Sequence, residues 1–156
     1  MKTGQSKKWS ARRRAREVAL KVLYAMESSG GSLDDIFPLV ADGEGVSGAQ
    51  RDFAEALCRE VVAHRKELDA RIERVLEHWR IERVSRIDHL LLCIALAEYF
   101  HFPDIPPKVS IDEAVELART YSTAQSPAFV NGVLDAIMIQ GKGLANEPRG
   151  GELLGA

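Results

Sequence analysis

The sequence has only two cysteines, Cys58 and Cys93, and no C-x-x-C pair. They are far apart and each lies in an apolar stretch, so we expect two reduced core thiols and no disulfide. There is no signal sequence, and the longest apolar run, LLLCIALA at 90–97, has eight residues. Since a membrane span needs about 18 apolar residues, we expect a cytoplasmic protein without membrane association.

Residues typical of catalytic or metal sites are present but not arranged for that chemistry. Asp112, Glu113 and Glu116 fall where a helix is expected to begin, and the helix dipole favours acids there. The four histidines (64, 78, 89 and 101) show no close ligand spacing for zinc. A glycine-rich phosphate loop and a nucleophile elbow are also missing. We therefore predict no catalytic, cofactor or metal site, and a protein that is not an enzyme.

Positive charge is concentrated at the N-terminus. Residues 1–21 carry a formal charge of +7, so the remainder carries −9 in a chain of net charge −2. Four arginines lie in SARRRARE at 10–17, where cations oppose the helix dipole by about 0.3–1 kcal/mol each. This placement favours a nucleic-acid contact, although a solvated tail is the alternative.

Apolar residues recur at helical spacing throughout, and no segment alternates with period two. These patterns predict an all-α, single-domain bundle of about six helices at 10–141, flanked by a disordered basic tail at 1–9 and a flexible tail at 142–156. The expected helices cover about 10–28, 33–40, 49–79, 85–100, 110–121 and 126–140. Whether the long third helix is kinked at 64–66 is left open.

Local signals fix several helix ends. Capping-box patterns begin at Ser32, Ser85 and Ser110, and Ser126 precedes a proline as an N-cap precedes N1. Gly132 lies inside the last expected helix, where it costs about 1 kcal/mol relative to alanine. We therefore expect the backbone of a neighbouring helix to approach Gly132 closely.

Three stretches carry a family resemblance: ARRRAREVALKVLYAME (11–27), IDHLLLCIALAEYF (87–100) and IPPKVSIDEAVELARTYSTAQSPAFVNGVLDAI (105–137). In order and spacing they closely resemble the NusB family of bacterial transcription antitermination factors, whereas 29–80 matches only in helical pattern. The resemblance implies two three-helix subdomains. It also implies a heterodimer with NusE, a small-subunit ribosomal protein, which binds single-stranded boxA RNA of nascent ribosomal RNA leaders and supports the RNA polymerase antitermination complex.

The resemblance also implies two sets of site residues. The RNA-binding set comprises Arg12, Arg13, Arg16 and Phe129, with Lys108 as an added candidate. The NusE-binding set comprises Tyr24, Glu82, Arg83 and Asp88, in which Asp88 replaces a glutamate of the family. For Phe129 a core position, and for Lys108 a purely solvated position, stay open as alternatives.

Two departures from the family pattern lie beside Phe129. Ala128 stands where family members can carry a lysine, and Gln125 stands where they can carry an acid. The first removes a phosphate contact and the second removes a repulsion, so their net effect on RNA affinity stays open.

Other functions stay open as well. NusB-like domains also precede the catalytic domain of a ribosomal RNA cytosine methyltransferase, but this chain ends at Ala156 without a cofactor-binding fold and we expect it to be complete. A helix-turn-helix protein would prefer duplex DNA. A homodimer that buries the arginines is permitted by Leu20 and Tyr24, which lie on a second face of the first helix.

Overall fold

The computed structural model describes residues 4–76 and 80–142, and for residues 4–11 it describes the backbone alone. Within these ranges all regular structure is helical, which confirms the all-α class with six α-helices. They are α1 Gly4–Ser29, α2 Leu33–Glu44, α3 Gly48–Val75, α4 Arg86–His101, α5 Pro107–Tyr121 and α6 Ser126–Leu134. A 3₁₀ turn, Ile81–Arg83, precedes α4, and a π-helical turn, Asp135–Ile139, continues α6.

The chain divides into two compact units, residues 1–60 and 61–156. The first unit contains α1, α2 and the beginning of α3, as expected for a three-helix subdomain. The second contains the rest of α3 together with α4, α5 and α6. It therefore has four helical segments and not three, because the boundary falls inside α3.

In the first unit, α1 packs against α2. Ala15, Val18 and Val22, which recur at helical spacing along α1, are buried, whereas Met26 on the same stripe is half-buried. The predicted cap of α2 forms, since the Asp35 N–H donates to Ser32 Oγ over 3.2 Å. Gly45 ends α2 at a φ of 71°, a left-handed conformation that glycine adopts without steric cost.

In the second unit, α4 is the central helix and packs against α5 and α6. Asp88 and all residues from Leu90 to Tyr99 are buried, while His89 is half-buried, as expected for a helix that is largely apolar on all faces. The predicted cap of α4 forms, because the Asp88 N–H donates to Ser85 Oγ over 3.2 Å. The apolar run at 90–97 therefore forms part of the core of this unit, together with buried residues of α3, α5 and α6. None of the helices within the described ranges combines the length and the hydropathy that crossing a bilayer requires.

Several expected helix boundaries were wrong. Helix α3 ends at Val75, although we expected it to continue to 79. Helix α1 begins at Gly4, before the expected start at Ser10; no proline or β-branched residue interrupts residues 4–9. Helix α2 continues to Glu44 and includes Pro38. Helix α5 begins at Pro107, where a proline at the first helical position loses no hydrogen bond. The predicted tail lies outside the described residues from 143 onward.

The structure also answers two questions about helix interiors, namely whether α3 is kinked at 64–66 and what surrounds Gly132. His64 has φ −116° and ψ 18°, so α3 is kinked at the position that the sequence left open. Gly132 is exposed, and a Cβ atom built there meets no atom within 4 Å. The expected close approach of a neighbouring helix at Gly132 was therefore wrong.

Candidate nucleic-acid and partner surfaces

The arginines of α1 differ sharply in exposure. Arg13 is exposed, Arg12 is half-buried, and Arg16 is only 1% exposed. The helical wheel places these three side chains on neighbouring faces but does not show which of them another element covers. Of these three arginines, only Arg13 is exposed.

Phe53 of α3 is the residue that covers this cluster. The guanidinium carbons of Arg12 and Arg16 lie 4.7 and 5.6 Å from the centre of the Phe53 ring, within the range of a cation–π contact. Phe53 recurs at helical spacing with Leu57 and Val61 in the sequence, but nothing in the spacing indicated that arginines lie over it. The ring holds two of the predicted RNA-binding guanidinium groups in place.

Arg14, the fourth arginine, is used within the fold. It pairs with Glu17, and its Nη2 donates to the Glu44 carbonyl oxygen over 2.8 Å. The Glu17 bond raises the pKa of Arg14 despite partial desolvation. Lys21 Nζ lies 2.9 Å from Glu44 Oε1, and this bond, together with Arg14, lowers the pKa of Glu44. These two cations fasten α1 to the end of α2.

Lys108 lies in the first turn of α5, in the second unit. Its side chain is 84% exposed and its Nζ is 3.6 Å from a carboxylate oxygen of Asp112, one turn along the helix. The contact is an ordinary i,i+4 ion pair. Lys108 is therefore accessible to an anion, and its role in RNA binding stays a prediction.

A groove of about 200 Å³ lies in the second unit. It brings Phe129, predicted to contact RNA, together with Arg83 and Asp88, predicted to contact NusE. Phe129 is half-buried at the groove wall, and so it is neither a fully buried core residue nor a freely exposed one. Gln125, the departure from the family pattern, also lines this groove.

Asp88 forms an inner wall of this groove and is 7% exposed. Its two carboxylate oxygens accept hydrogen bonds from Ser122 Oγ over 2.7 Å and from Ser126 Oγ over 2.8 Å. Ser126 Oγ in turn accepts from the Thr123 N–H over 3.2 Å. Asp88 thus ties the start of α4 to the α5–α6 connection and leaves little surface of its own for a partner.

The other predicted NusE-binding residues are more accessible. Glu82 and Arg83 are exposed on the 3₁₀ turn of the second unit. Tyr24 is 42% exposed on α1 of the first unit. Leu20, on the same face of α1 as Tyr24, is buried.

Sequence reasoning did not anticipate Ser122 and Ser126 as partners of Asp88. The signal in the sequence was the i,i+4 spacing of two serines around a helix junction, which is too common to point to a carboxylate 34 positions away. Ser126 was expected as a helix N-cap, but α6 begins at Ser126 with Gln125 as its N-cap.

Comparisons of the sequence and of the fold with known proteins both identify NusB proteins as similar to this chain. The model of the NusB family matches residues 13–138. The transcription antitermination protein NusB of Salinibacter ruber is 44% identical over 131 residues, which cover 83% of this chain and 82% of the relative. The NusB protein of Geobacter sulfurreducens is 41% identical over 128 residues, 81% of this chain and 93% of the relative.

Two solved structures share the fold. T. maritima NusB has 35% sequence identity and a TM-score of 0.77, over 83% of this chain and 91% of that one. A chain from the complex of the antitermination factors NusB and NusE with double-stranded RNA has 28% identity and a TM-score of 0.75, over 84% of this chain and 98% of that one. With a family model spanning most of the sequence and relatives more than 40% identical over four fifths of it, this chain belongs to the NusB family.

Proposed function

We propose that this protein is a transcription antitermination factor that works in the cytoplasm and not as an enzyme. It forms a heterodimer with NusE, and the heterodimer binds boxA RNA in nascent ribosomal RNA leaders and supports elongation by the RNA polymerase antitermination complex. The observation that carries the proposal is the likeness to the NusB chain of the NusB–NusE–RNA complex, at 28% identity over 84% of this chain.

The arginine end of α1 supports an RNA contact on physical grounds. Arg13 is exposed, and the half-buried Arg12 is held against Phe53. A guanidinium group is planar and permanently charged, so it suits phosphate oxygens. Contacts of this kind give an affinity that falls as salt rises, with little preference for sequence.

The groove beside Phe129 supports single-stranded RNA as the form that is read. A half-buried aromatic ring next to polar side chains such as Gln125 and Arg83 matches what an unstacked base needs. A duplex keeps its bases stacked and offers no such base. Since the related complex contains double-stranded RNA, the two forms of RNA have to be compared directly.

Arg13 is the residue to reverse in the test. Arg16 is 1% exposed beneath Phe53, so Arg16→Glu would bury a carboxylate and confuse loss of folding with loss of binding. Arg13→Glu changes charge at an exposed position. Lys66→Glu, at an exposed position of α3, makes the same charge change outside the predicted RNA-binding set and is the matched control.

We expect Arg13→Glu to weaken binding of single-stranded boxA RNA about tenfold at low salt, because a phosphate contact becomes a repulsion. The slope of log K against log salt should become shallower by about 0.7, the value for one contact on a single strand. Fluorescence anisotropy with labelled RNA over a salt series, with and without NusE, measures both quantities.

Lys66→Glu should keep the affinity within about twofold of the original protein. Annealing the RNA to its complement should weaken binding, because the bases are then stacked. If Arg13→Glu and Lys66→Glu bind RNA equally well, the arginine end of α1 is not the RNA surface. If duplex RNA binds as tightly as the single strand, Phe129 does not receive an unstacked base.

A further inference from the structure

Three side chains with metal-ligating atoms meet between α3 and α4 in the second unit. Asp69 comes from α3, and His89 and Cys93 come from adjacent turns of α4. One carboxylate oxygen of Asp69 lies 2.6 Å from His89 Nε2 and 3.7 Å from Cys93 Sγ. The three ligand atoms all lie within 4.8 Å of one another.

The ligand types and their spacing fit a zinc-like ion. Thiolate, imidazole and carboxylate are the groups that bind Zn²⁺ and Co²⁺, and two ligands at i and i+4 share one helix face. Bonds of about 2.0 Å to nitrogen and oxygen and about 2.3 Å to sulfur place tetrahedral ligand atoms about 3.3–3.6 Å apart. The Asp69–Cys93 distance is already close to this range, and the Asp69–His89 pair needs to open by about 0.7 Å.

We propose that Asp69, His89 and Cys93 form a binding site for a divalent transition-metal ion of the zinc class. Cys93 is wholly buried, whereas the side chains of His89 and Asp69 are 16% and 29% exposed. Solvent therefore reaches the site from the side of Asp69 and His89, and water completes the coordination there. Binding releases the thiol proton of Cys93 to solvent, because the thiolate is the ligand.

Arg65 competes with the metal ion. Its Nε lies 3.2 Å from the same oxygen of Asp69, and its Nη2 lies 3.4 Å from His89 Nδ1. The guanidinium group thus supplies positive charge next to two of the three ligands. Since the Arg65 side chain is 30% exposed, it moves into solvent when a dication takes the carboxylate.

A purely structural hydrogen-bond network is the alternative, and cobalt distinguishes the two. The reduced, chelator-treated protein is titrated with Co²⁺, and absorption is recorded for the thiolate-to-cobalt charge-transfer band and for the visible d–d bands. We expect one equivalent of Co²⁺ to bind and to give both the charge-transfer band and the d–d bands. We also expect Zn²⁺ to displace the bound Co²⁺. Thermal unfolding with Zn²⁺ should shift to higher temperature, because an ion that binds only the folded state stabilises it.

Variants assign the ligands. Cys93→Ser and His89→Ala should each weaken Co²⁺ binding by at least about tenfold, the least that even an outer contact costs, and Cys93→Ser should lose the charge-transfer band. Cys58→Ser is the matched control, since Cys58 lies in the first unit and burial raises the pKa of its thiol to about 12.

Arg65→Met tests the competition without removing a ligand. It should strengthen Co²⁺ binding about two- to fivefold, the usual worth of a part-exposed ion pair, while Lys66→Met at the next position should not. The proposal is wrong if the original protein gives no thiolate band, if Cys93→Ser titrates like the original, or if Cys58→Ser abolishes the band. If the ligand variants fail to fold, the Co²⁺ affinity of Arg65→Met tests the proposal, and an affinity that does not rise contradicts it.

Discussion

Two of the residues that the resemblance assigns to outside contacts, Asp88 and Arg16, are buried against other side chains of this protein. Asp88 accepts hydrogen bonds from two serine hydroxyls, and Arg16 is 1% exposed beneath the Phe53 ring. Arg13 and Arg83 are exposed. At the scale of single residues, we therefore expect Asp88 and Arg16 to act by positioning their neighbours, and Arg13 and Arg83 to make any contacts with RNA or NusE.

Asp88→Ala tests this division of roles. Removing the carboxylate leaves the hydroxyls of Ser122 and Ser126 without their acceptor, which costs about 1–3 kcal/mol for a buried polar group. Urea unfolding followed by circular dichroism should show this loss with an unchanged m-value. Glu82→Ala, at an exposed position on the adjoining 3₁₀ turn, should unfold like the original. Equal midpoints for the two variants would mean that the Asp88 network adds no stability.

At the scale of elements, sequence patterns predicted which segments are helical better than where each helix begins. The predicted caps form at Ser32 and Ser85, whose hydroxyls accept hydrogen bonds from the N–H groups of Asp35 and Asp88. At Ser110 the cap does not form, because α5 begins at Pro107 and Ser110 lies inside it, where its hydroxyl donates to the buried Glu98 over 2.8 Å. Ser126 is likewise drawn to Asp88. A tertiary partner that local sequence does not reveal outcompetes the local cap.

Alanine substitution at two glycines, Gly132 and Gly45, should change the stability of the protein in opposite directions. Gly132 lies in α6 with open space around it, so Gly132→Ala should stabilise the protein by about 0.5–1 kcal/mol, because alanine loses less backbone entropy in a helix. Gly45 has a φ of 71°, so Gly45→Ala should destabilise the protein by about 1–2 kcal/mol. Urea unfolding of the two variants measures both values. A destabilised Gly132→Ala would show that position 132 tolerates no side chain within the fold.

At the scale of the whole molecule, positive charge is concentrated at the N-terminus, but ion pairs within the fold neutralise part of it. Arg14 and Lys21 form ion pairs with Glu44. Residues 1–21 therefore present less than their formal charge of +7 to a polyanion. Fold class and family were predictable because helical period and motif order are properties of the sequence. The groove shared by Phe129, Arg83 and Asp88 was not, because it depends on how α4 and α6 pack.

The acidic remainder of the chain supports the last prediction, which concerns the heterodimer. With NusE, light scattering after size exclusion should report one copy of each chain, 17.2 kDa more than NusE alone, whether the free protein is a monomer or a homodimer. Glu82→Lys reverses an exposed charge of the predicted NusE-binding set and should weaken the complex, more so at low salt, where charge pairs are least screened. Arg13→Glu should leave the mass of the complex unchanged, because Arg13 belongs to the predicted RNA-binding set and not to the predicted NusE-binding set. If adding NusE does not change the measured mass, the heterodimer is refuted. If Arg13→Glu abolishes the complex and Glu82→Lys does not, then Arg13 and not Glu82 lies at the NusE interface.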